Sequence, residues 1–138
     1  YLVKLDTNGS FPKKLKEVIY LGLVDYVAMD IKNSAHKYCD TSGAEVDIRD
    51  ITESIDIIMS DAVDYEFRTT VVREYHATQD IVDITKWIKG AKRYFLQGFV
   101  DSGNLIGSGM SAFRPQEMVD FCTKAQEIVP NTVLRGIK

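Results

Sequence analysis

The sequence predicts an α/β fold with a parallel sheet, and three observations predict it. Strand-like and helix-like stretches alternate along the chain. Residues 24–31 form a nearly continuous apolar run containing Val24, Tyr26, Val27, Ala28, Met29 and Ile31, as a strand buried on both faces requires. Proline opens two of the helix-like stretches, at Pro12 and Pro115, and glycine closes two, at Gly22 and Gly90. Such alternation implies right-handed crossovers, in an open doubly wound sheet or in a (β/α) barrel.

The elements follow in order. Tyr1–Leu5 reads as a strand from the first residue. Pro12 suits the first position of a helix, where its missing N–H costs nothing, and Leu15, Val18 and Ile19 follow at helical spacing. Val24–Ile31 is the second strand. Residues 33–44 are polar and read as loop. Ile48, Ile51, Ile55 and Ile58 recur at threes and fours, which predicts a helix over Asp47–Ser60. Tyr65–Val72 is rich in β-formers and predicts the third strand. Thr78 is the expected N-cap of a helix carrying Ile81, Ile84, Trp87 and Ile88. Lys92–Gln97 is the fourth strand. A glycine-rich connection, Gly98–Arg114, leads to a helix with Met118, Phe121, Cys122, Ala125 and Ile128 on one side, and Val133–Arg135 is the last strand.

Bulk composition narrows the function. The 138 residues suit one domain, and 45% are apolar, enough for a core. A net charge of −3 leaves no electrostatic footprint for nucleic acid. No apolar run approaches the roughly 20 residues that cross a bilayer. Cys39 and Cys122 lie far apart and form no metal-type spacing, so a cytoplasmic, reduced protein is expected. His36 and His76 are expected at the surface, Cys122 in the core, and Trp87 in packing. The connection 98–114 has no Gly-Lys-Ser/Thr ending, so it is not a phosphate-binding loop of Walker type. Its length suggests that it covers a site or meets a partner.

In folds of this class, ligands bind at the carboxyl ends of the strands. Those ends carry Asp6-Thr7-Asn8-Gly9, Asp30-Ile31-Lys32, Arg68-Thr69-Thr70 and Leu96-Gln97-Gly98. Two carboxylates, a lysine, an arginine and several amides or hydroxyls would converge on one mouth, which suits a zwitterionic ligand. Taken alone, Asp-Thr-Asn-Gly is ordinary turn chemistry. The recurrence of polar groups at the same end of successive strands favours a site.

Several stretches also resemble a known family. Residues 4–9 and 23–32, with Tyr65–Val72, Tyr94–Phe99 and Thr132–Gly136, are similar to the glycyl-radical-enzyme activases of the radical S-adenosylmethionine (SAM) superfamily. The order and spacing look most like the longer anaerobic ribonucleoside-triphosphate reductase activating proteins, relatives of pyruvate formate-lyase activating enzyme. The resemblance implies a partial (β/α)6 TIM barrel. It implies that Asp6, Thr7, Asp30 and the Ala28 carbonyl help hold a monovalent cation against the SAM carboxylate. It assigns Lys32 and Arg68 to a carboxylate or a peptide substrate, and Asn8 to the same cofactor-binding motif. Phe99 stands near where relatives carry a histidine, so Gln97 becomes the candidate for the SAM hydroxyls.

The resemblance also implies parts that this sequence lacks. The cluster-binding C-x3-C-x2-C motif and the GGE-type motif for the SAM amino group are absent. The expectation is that residues 1–138 form the carboxyl-terminal portion of one radical SAM domain. The full protein would use SAM and a [4Fe-4S] cluster to activate a glycyl radical enzyme, an anaerobic ribonucleotide reductase or a pyruvate formate-lyase type. This chain alone would be inactive and would hold no cluster, and it could dimerise through an exposed barrel edge. Two other readings stay open: a non-catalytic, partner-binding truncated barrel, and a barrel lyase that uses a metal or a Schiff base on Lys32.

Overall fold

A computed structural model describes residues 1–43, 45–100 and 109–136. Five strands form one sheet in the order β1-β2-β3-β4-β5, and every neighbouring pair is parallel. They are β1 (Lys4–Thr7), β2 (Tyr26–Asp30), β3 (Asp64–Val71), β4 (Tyr94–Gly98) and β5 (Thr132–Arg135). The helices between them are α1 (Pro12–Tyr20), α2 (Tyr38–Ser42), α3 (Ile48–Met59), α4 (Thr78–Trp87) and α5 (Pro115–Gln126). The expected α/β class, with parallel βα units in sequential order, is the observed one.

Strand alternation decides which face is which. Val27, Met29, Ile31, Tyr65, Phe67, Val71, Tyr94 and Leu96 form one core with Leu15 of α1, Ile51, Ile55 and Ile58 of α3, Ile81 and Ile84 of α4, and Phe121 and Ala125 of α5. The helices therefore cover one face. The opposite, inner face carries Lys4 and Asp6 of β1, Tyr26, Ala28 and Asp30 of β2, Glu66, Arg68 and Thr70 of β3, Phe95 and Gln97 of β4, and Arg135 of β5. The middle of β2 is buried on both faces, as expected, with Val27, Ala28 and Met29 inaccessible, while Tyr26 and Asp30 at its ends are partly exposed.

Most element ends follow local chemistry. Gly22 takes φ +69° just beyond α1. Asp47 caps α3 by accepting the Arg49 N–H at 2.9 Å. Thr78 is not the cap of α4. Ala77 holds that position, and the Asp80 carboxylate reaches back to the Ala77 N–H at 2.8 Å. Residues 33–44, read as loop, contain a 3-10 turn over Ala35–Lys37 and then α2. Buried Tyr38 anchors this segment, meeting Trp87 edge to face at 6.0 Å. Strand β1 begins at Lys4 rather than Tyr1, and Tyr1 and Leu2 are exposed.

Cys122 is buried on α5, as expected of a core residue. His36 is exposed, whereas His76, also expected at the surface, is only 4% exposed. Two hydrogen bonds described below draw it inward. Of the connection 98–114, the glycines Gly103 and Gly107 lie outside the described residues, as does any role of residues 101–108.

Candidate functional site

The carboxyl ends of β1, β2 and β3 gather a charged cluster on the inner face. Strand register sets Asp30 beside Arg68, so the two side chains leave the sheet as neighbours. Arg68 Nε donates to Asp30 Oδ1 at 3.1 Å, and its Nη1 stands 3.6 Å from Asp6 Oδ1. Lys32 Nζ lies 3.9 Å from Asp30 Oδ2. Two carboxylates thus flank one guanidinium, with an ammonium at the rim. The cluster can take a ligand that carries both charge signs, since each group present can exchange an internal partner for a ligand group.

The other expected residues are placed differently. Thr7 falls inside β1, where alternation turns it away from Asp6, and its hydroxyl accepts the Gly9 N–H at 3.1 Å. Asn8 Oδ1 accepts the Ser10 N–H at 3.0 Å. Both side chains build the turn. Gly9 is indispensable to it: φ is +75°, and a Cβ would collide with the Met29 side-chain methyl. Ser54 Oγ donates to the Gly9 carbonyl at 2.7 Å and ties the turn to α3. Ala28, fully buried, sits opposite Asp6 in register. Gln97 lies one strand beyond the cluster, with Oε1 3.5 Å from the Thr70 hydroxyl.

A cavity of about 220 Å³ opens between the ends of β2 and β3, lined by Asp30, Lys32, Thr70, Val72, Tyr75, His76, Phe99 and Met110 among others. Its β2 wall is held unusually tightly. Three consecutive backbone carbonyls each meet a buried side-chain donor. Tyr38 Oη lies 3.3 Å from the Asp30 carbonyl, Thr69 Oγ1 donates to that of Ile31 at 2.7 Å, and His76 Nε2 lies 2.9 Å from that of Lys32. Burial pushes the Tyr38 phenol up to about 12, which keeps it protonated as a donor. Burial also raises the phenol of Tyr94, which donates to Thr69 Oγ1 at 2.6 Å.

His76 completes this wall. Its Nδ1 accepts the Val72 N–H at 3.0 Å, and burial pulls its pKa below the ordinary value. The adjoining loop is pinned as well. Asn33 Nδ2 donates to the Tyr75 carbonyl at 2.8 Å, and the buried Asp80 carboxylate accepts from Lys37 at 2.8 Å and Ser34 at 3.1 Å. Sequence reading found neither His76 nor Tyr38. Thr69, expected among the polar groups at the strand ends, is instead a buried hydroxyl among Tyr65, Phe67 and Val71 on the apolar side of β3.

Lys32 is 45% exposed and paired with a carboxylate. A Schiff-base lysine needs a desolvated, unpaired amine, so this environment does not favour lyase chemistry at Lys32. Cys39 is exposed and Cys122 buried, and no group of three His, Cys, Asp or Glu among the described residues could hold a metal ion. The described residues therefore do not fit an iron–sulfur cluster. No helix among them is long and apolar enough to cross a membrane.

Comparison with known proteins adds two findings, while no protein-family model matches the chain. The chain is 32% identical over 142 residues to a Methanocaldococcus jannaschii protein named "Putative glycyl-radical enzyme activating enzyme". That alignment covers 98% of this chain and 59% of the relative, so the chain spans less than two thirds of the relative's length. Its fold matches a crystal structure of a domain of pyruvate-formate lyase-activating enzyme from Bacteroides vulgatus, with a TM-score of 0.76 over 96% of this chain and 80% of that one. At 11% identity this second likeness carries the fold alone. The chain is thus similar in sequence to a glycyl-radical-enzyme activating enzyme and shares its α/β architecture with a domain of another activase.

Proposed function

We propose that this chain supplies the carboxyl-terminal βα units of a cytoplasmic radical SAM enzyme that activates a glycyl radical enzyme, with an anaerobic ribonucleotide reductase as the partner. One observation carries the reading. In a chain aligned with an activating enzyme, Asp6, Asp30, Lys32 and Arg68 meet on one inner rim of the sheet.

In this reading Lys32 and Arg68 bind the SAM carboxylate, and Gln97 faces the ribose hydroxyls. Asp6 and Asp30, with the Ala28 carbonyl, offer oxygen atoms to a monovalent cation, the donor type that a hard cation takes; the Thr7 hydroxyl, on the other side of β1, would join them only by leaving the turn. The cation would share both carboxylates with Arg68, which already contacts them. When bound and given one electron by the cluster of the whole protein, SAM would release methionine and supply a 5′-deoxyadenosyl radical, which would take a hydrogen atom from a glycine of the partner and leave as 5′-deoxyadenosine. The [4Fe-4S] cluster belongs to the rest of the whole protein, so this chain alone is inactive. The free edge of β1 offers unpaired backbone groups through which two such chains could pair.

The test is a titration of the ¹⁵N-labelled chain with SAM, followed by amide shifts. The expected result is weak binding, with a Kd above ~10 µM or roughly −7 kcal/mol. Shifts should be confined to residues 6–9, 30–33, 68–70 and 97, and Arg68→Met should remove them. Shifts confined to the helix side of the sheet, or none at millimolar SAM, would defeat the assignment.

A further inference from the structure

The segment that carries Asp30 and Lys32 has a third anchor in His76, after Tyr38 and Thr69. One backbone bond to β3 continues past β2, from the Ile31 N–H to the Arg68 carbonyl at 2.7 Å, and beyond it the chain leaves the sheet. Yet the Lys32 carbonyl meets the His76 imidazole at 2.9 Å. A carbonyl can only accept, so the proton of this contact sits on Nε2. Nδ1 stands 3.0 Å from the Val72 N–H and 3.2 Å from the Val72 carbonyl; the neutral Nε2–H tautomer satisfies the Lys32 carbonyl and the Val72 N–H together, whereas the Nδ1–H tautomer would serve the Val72 carbonyl alone. One buried ring thereby bridges the residue just past β3 and the second residue past β2. Asn33 repeats the link one residue further on, through the Tyr75 carbonyl.

We propose that His76 is a positioning residue for the ligand segment Asp30–Lys32: its Nε2–H, donated to the Lys32 carbonyl, fixes the direction in which the Asp30 and Lys32 side chains leave the end of β2. The functional consequence rests on the SAM reading above; the positioning itself does not. Residues that hold a ligand group from behind commonly change affinity by about 10- to 100-fold when removed. A phenyl ring fills the same space but leaves the Lys32 carbonyl and the Val72 N–H unpaired. A glutamine amide can offer both a donor and an acceptor.

The experiment uses the whole chain and three readouts. Long-range ¹H–¹⁵N spectra of the His76 ring should show the neutral Nε2–H tautomer at pH 7.5; a predominant Nδ1–H form would overturn the proposal. Backbone ¹⁵N order parameters of residues 30–33 should fall in His76→Phe and return in His76→Gln, with the amides of β3 and β4 unchanged. Unaltered order in a folded His76→Phe protein would also overturn it. If that variant does not fold, His76→Asn, too short to span both partners, takes its place under the same criterion. In the SAM titration, His76→Phe should raise Kd about tenfold and His76→Gln should recover most of it. Wild-type chain without SAM shifts would sink the SAM reading, while the tautomer and order measurements would still decide the role of His76.

Discussion

Arg68 Nε lies 3.1 Å from Asp30 Oδ1, on adjacent strands whose register sets the two residues side by side. Arg68 is the more sheltered partner, 17% exposed against 35% for Asp30. Removing the guanidinium leaves Asp30 and Asp6 facing the inner rim with no arginine between them. Arg68→Met should destabilise the chain by about 1 kcal/mol, since the pair is partly solvated. Urea unfolding would show this as a lower midpoint at constant slope, and an unchanged midpoint would count against the cluster as a structural unit.

The turn after β1 depends on a residue without a side chain. Gly9→Ala should cost about 2 kcal/mol, because φ there is +75° and the new methyl would have to displace that of Met29. Ser54→Ala removes only the hydrogen bond to the Gly9 carbonyl and should cost about 1 kcal/mol. Thermal unfolding of the two variants would rank them, and the reverse order would contradict this account.

Acid should weaken the fold in two stages. Burial lowers the pKa of His76 below its ordinary 6.5, so the unfolded chain binds a proton there before the folded chain does. Stability from this residue is complete above pH 6.5 and is lost as pH falls from there through the lowered folded value. Burial pushes the Asp80 carboxyl upward, but the Lys37 ammonium, the Ala77 N–H and the Ser34 hydroxyl outweigh it, and its pKa ends below the ordinary 3.8. Its contribution persists above 3.8 and is lost only in stronger acid. Denaturation midpoints followed from pH 8 to pH 3 should therefore begin to fall near neutrality, and His76→Gln should remove that first stage.

At the other end of the inner face, Glu66 is 3% exposed and serves two partners. Arg135 Nη1 is 3.1 Å from its Oε2, and the Tyr26 hydroxyl donates to its Oε1 at 3.0 Å. The Arg135 guanidinium also stacks on Phe95 at 3.6 Å. Arg135→Ala would leave a buried carboxylate with one neutral donor and should cost about 2 kcal/mol. Glu66→Gln, which keeps an acceptor for Arg135 and turns an amide donor toward the Tyr26 hydroxyl, a group that can accept it, should cost less. Chemical denaturation of both variants checks the ranking.

Local signals made the architecture readable. Pro12 and Gly22 bracket α1, and the isoleucines at 51, 55 and 58 mark the buried side of α3. The charged residues at the strand ends do meet, with Asp6, Asp30, Lys32 and Arg68 gathered at the carboxyl ends of β1, β2 and β3. What could not be read was direction. Placing β1 at Tyr1–Leu5 put Asp6, Thr7 and Asn8 together in a loop. With β1 at Lys4–Thr7, alternation sends Asp6 to the inner face and Thr7 to the other. His76 was misjudged for a related reason. A lone histidine in a polar stretch looks solvent-facing, and only the return of β3 beside β2 brings the Lys32 carbonyl to its ring.

The inner face of the sheet is a layer of charges open on one side to water. Two unit charges 4 Å apart attract by about 1 kcal/mol at the dielectric constant of water and by about 4 kcal/mol at an effective value of 20. The bonds that join Asp6, Arg68, Asp30 and Lys32 are therefore muted while solvent and salt screen them. Anything that seals the concavity, whether a ligand, a second chain or a partner's peptide, displaces that screening and strengthens every charge it covers. Closure and electrostatic recognition become one event, and ionic strength becomes a control on the open state far more than on the closed one.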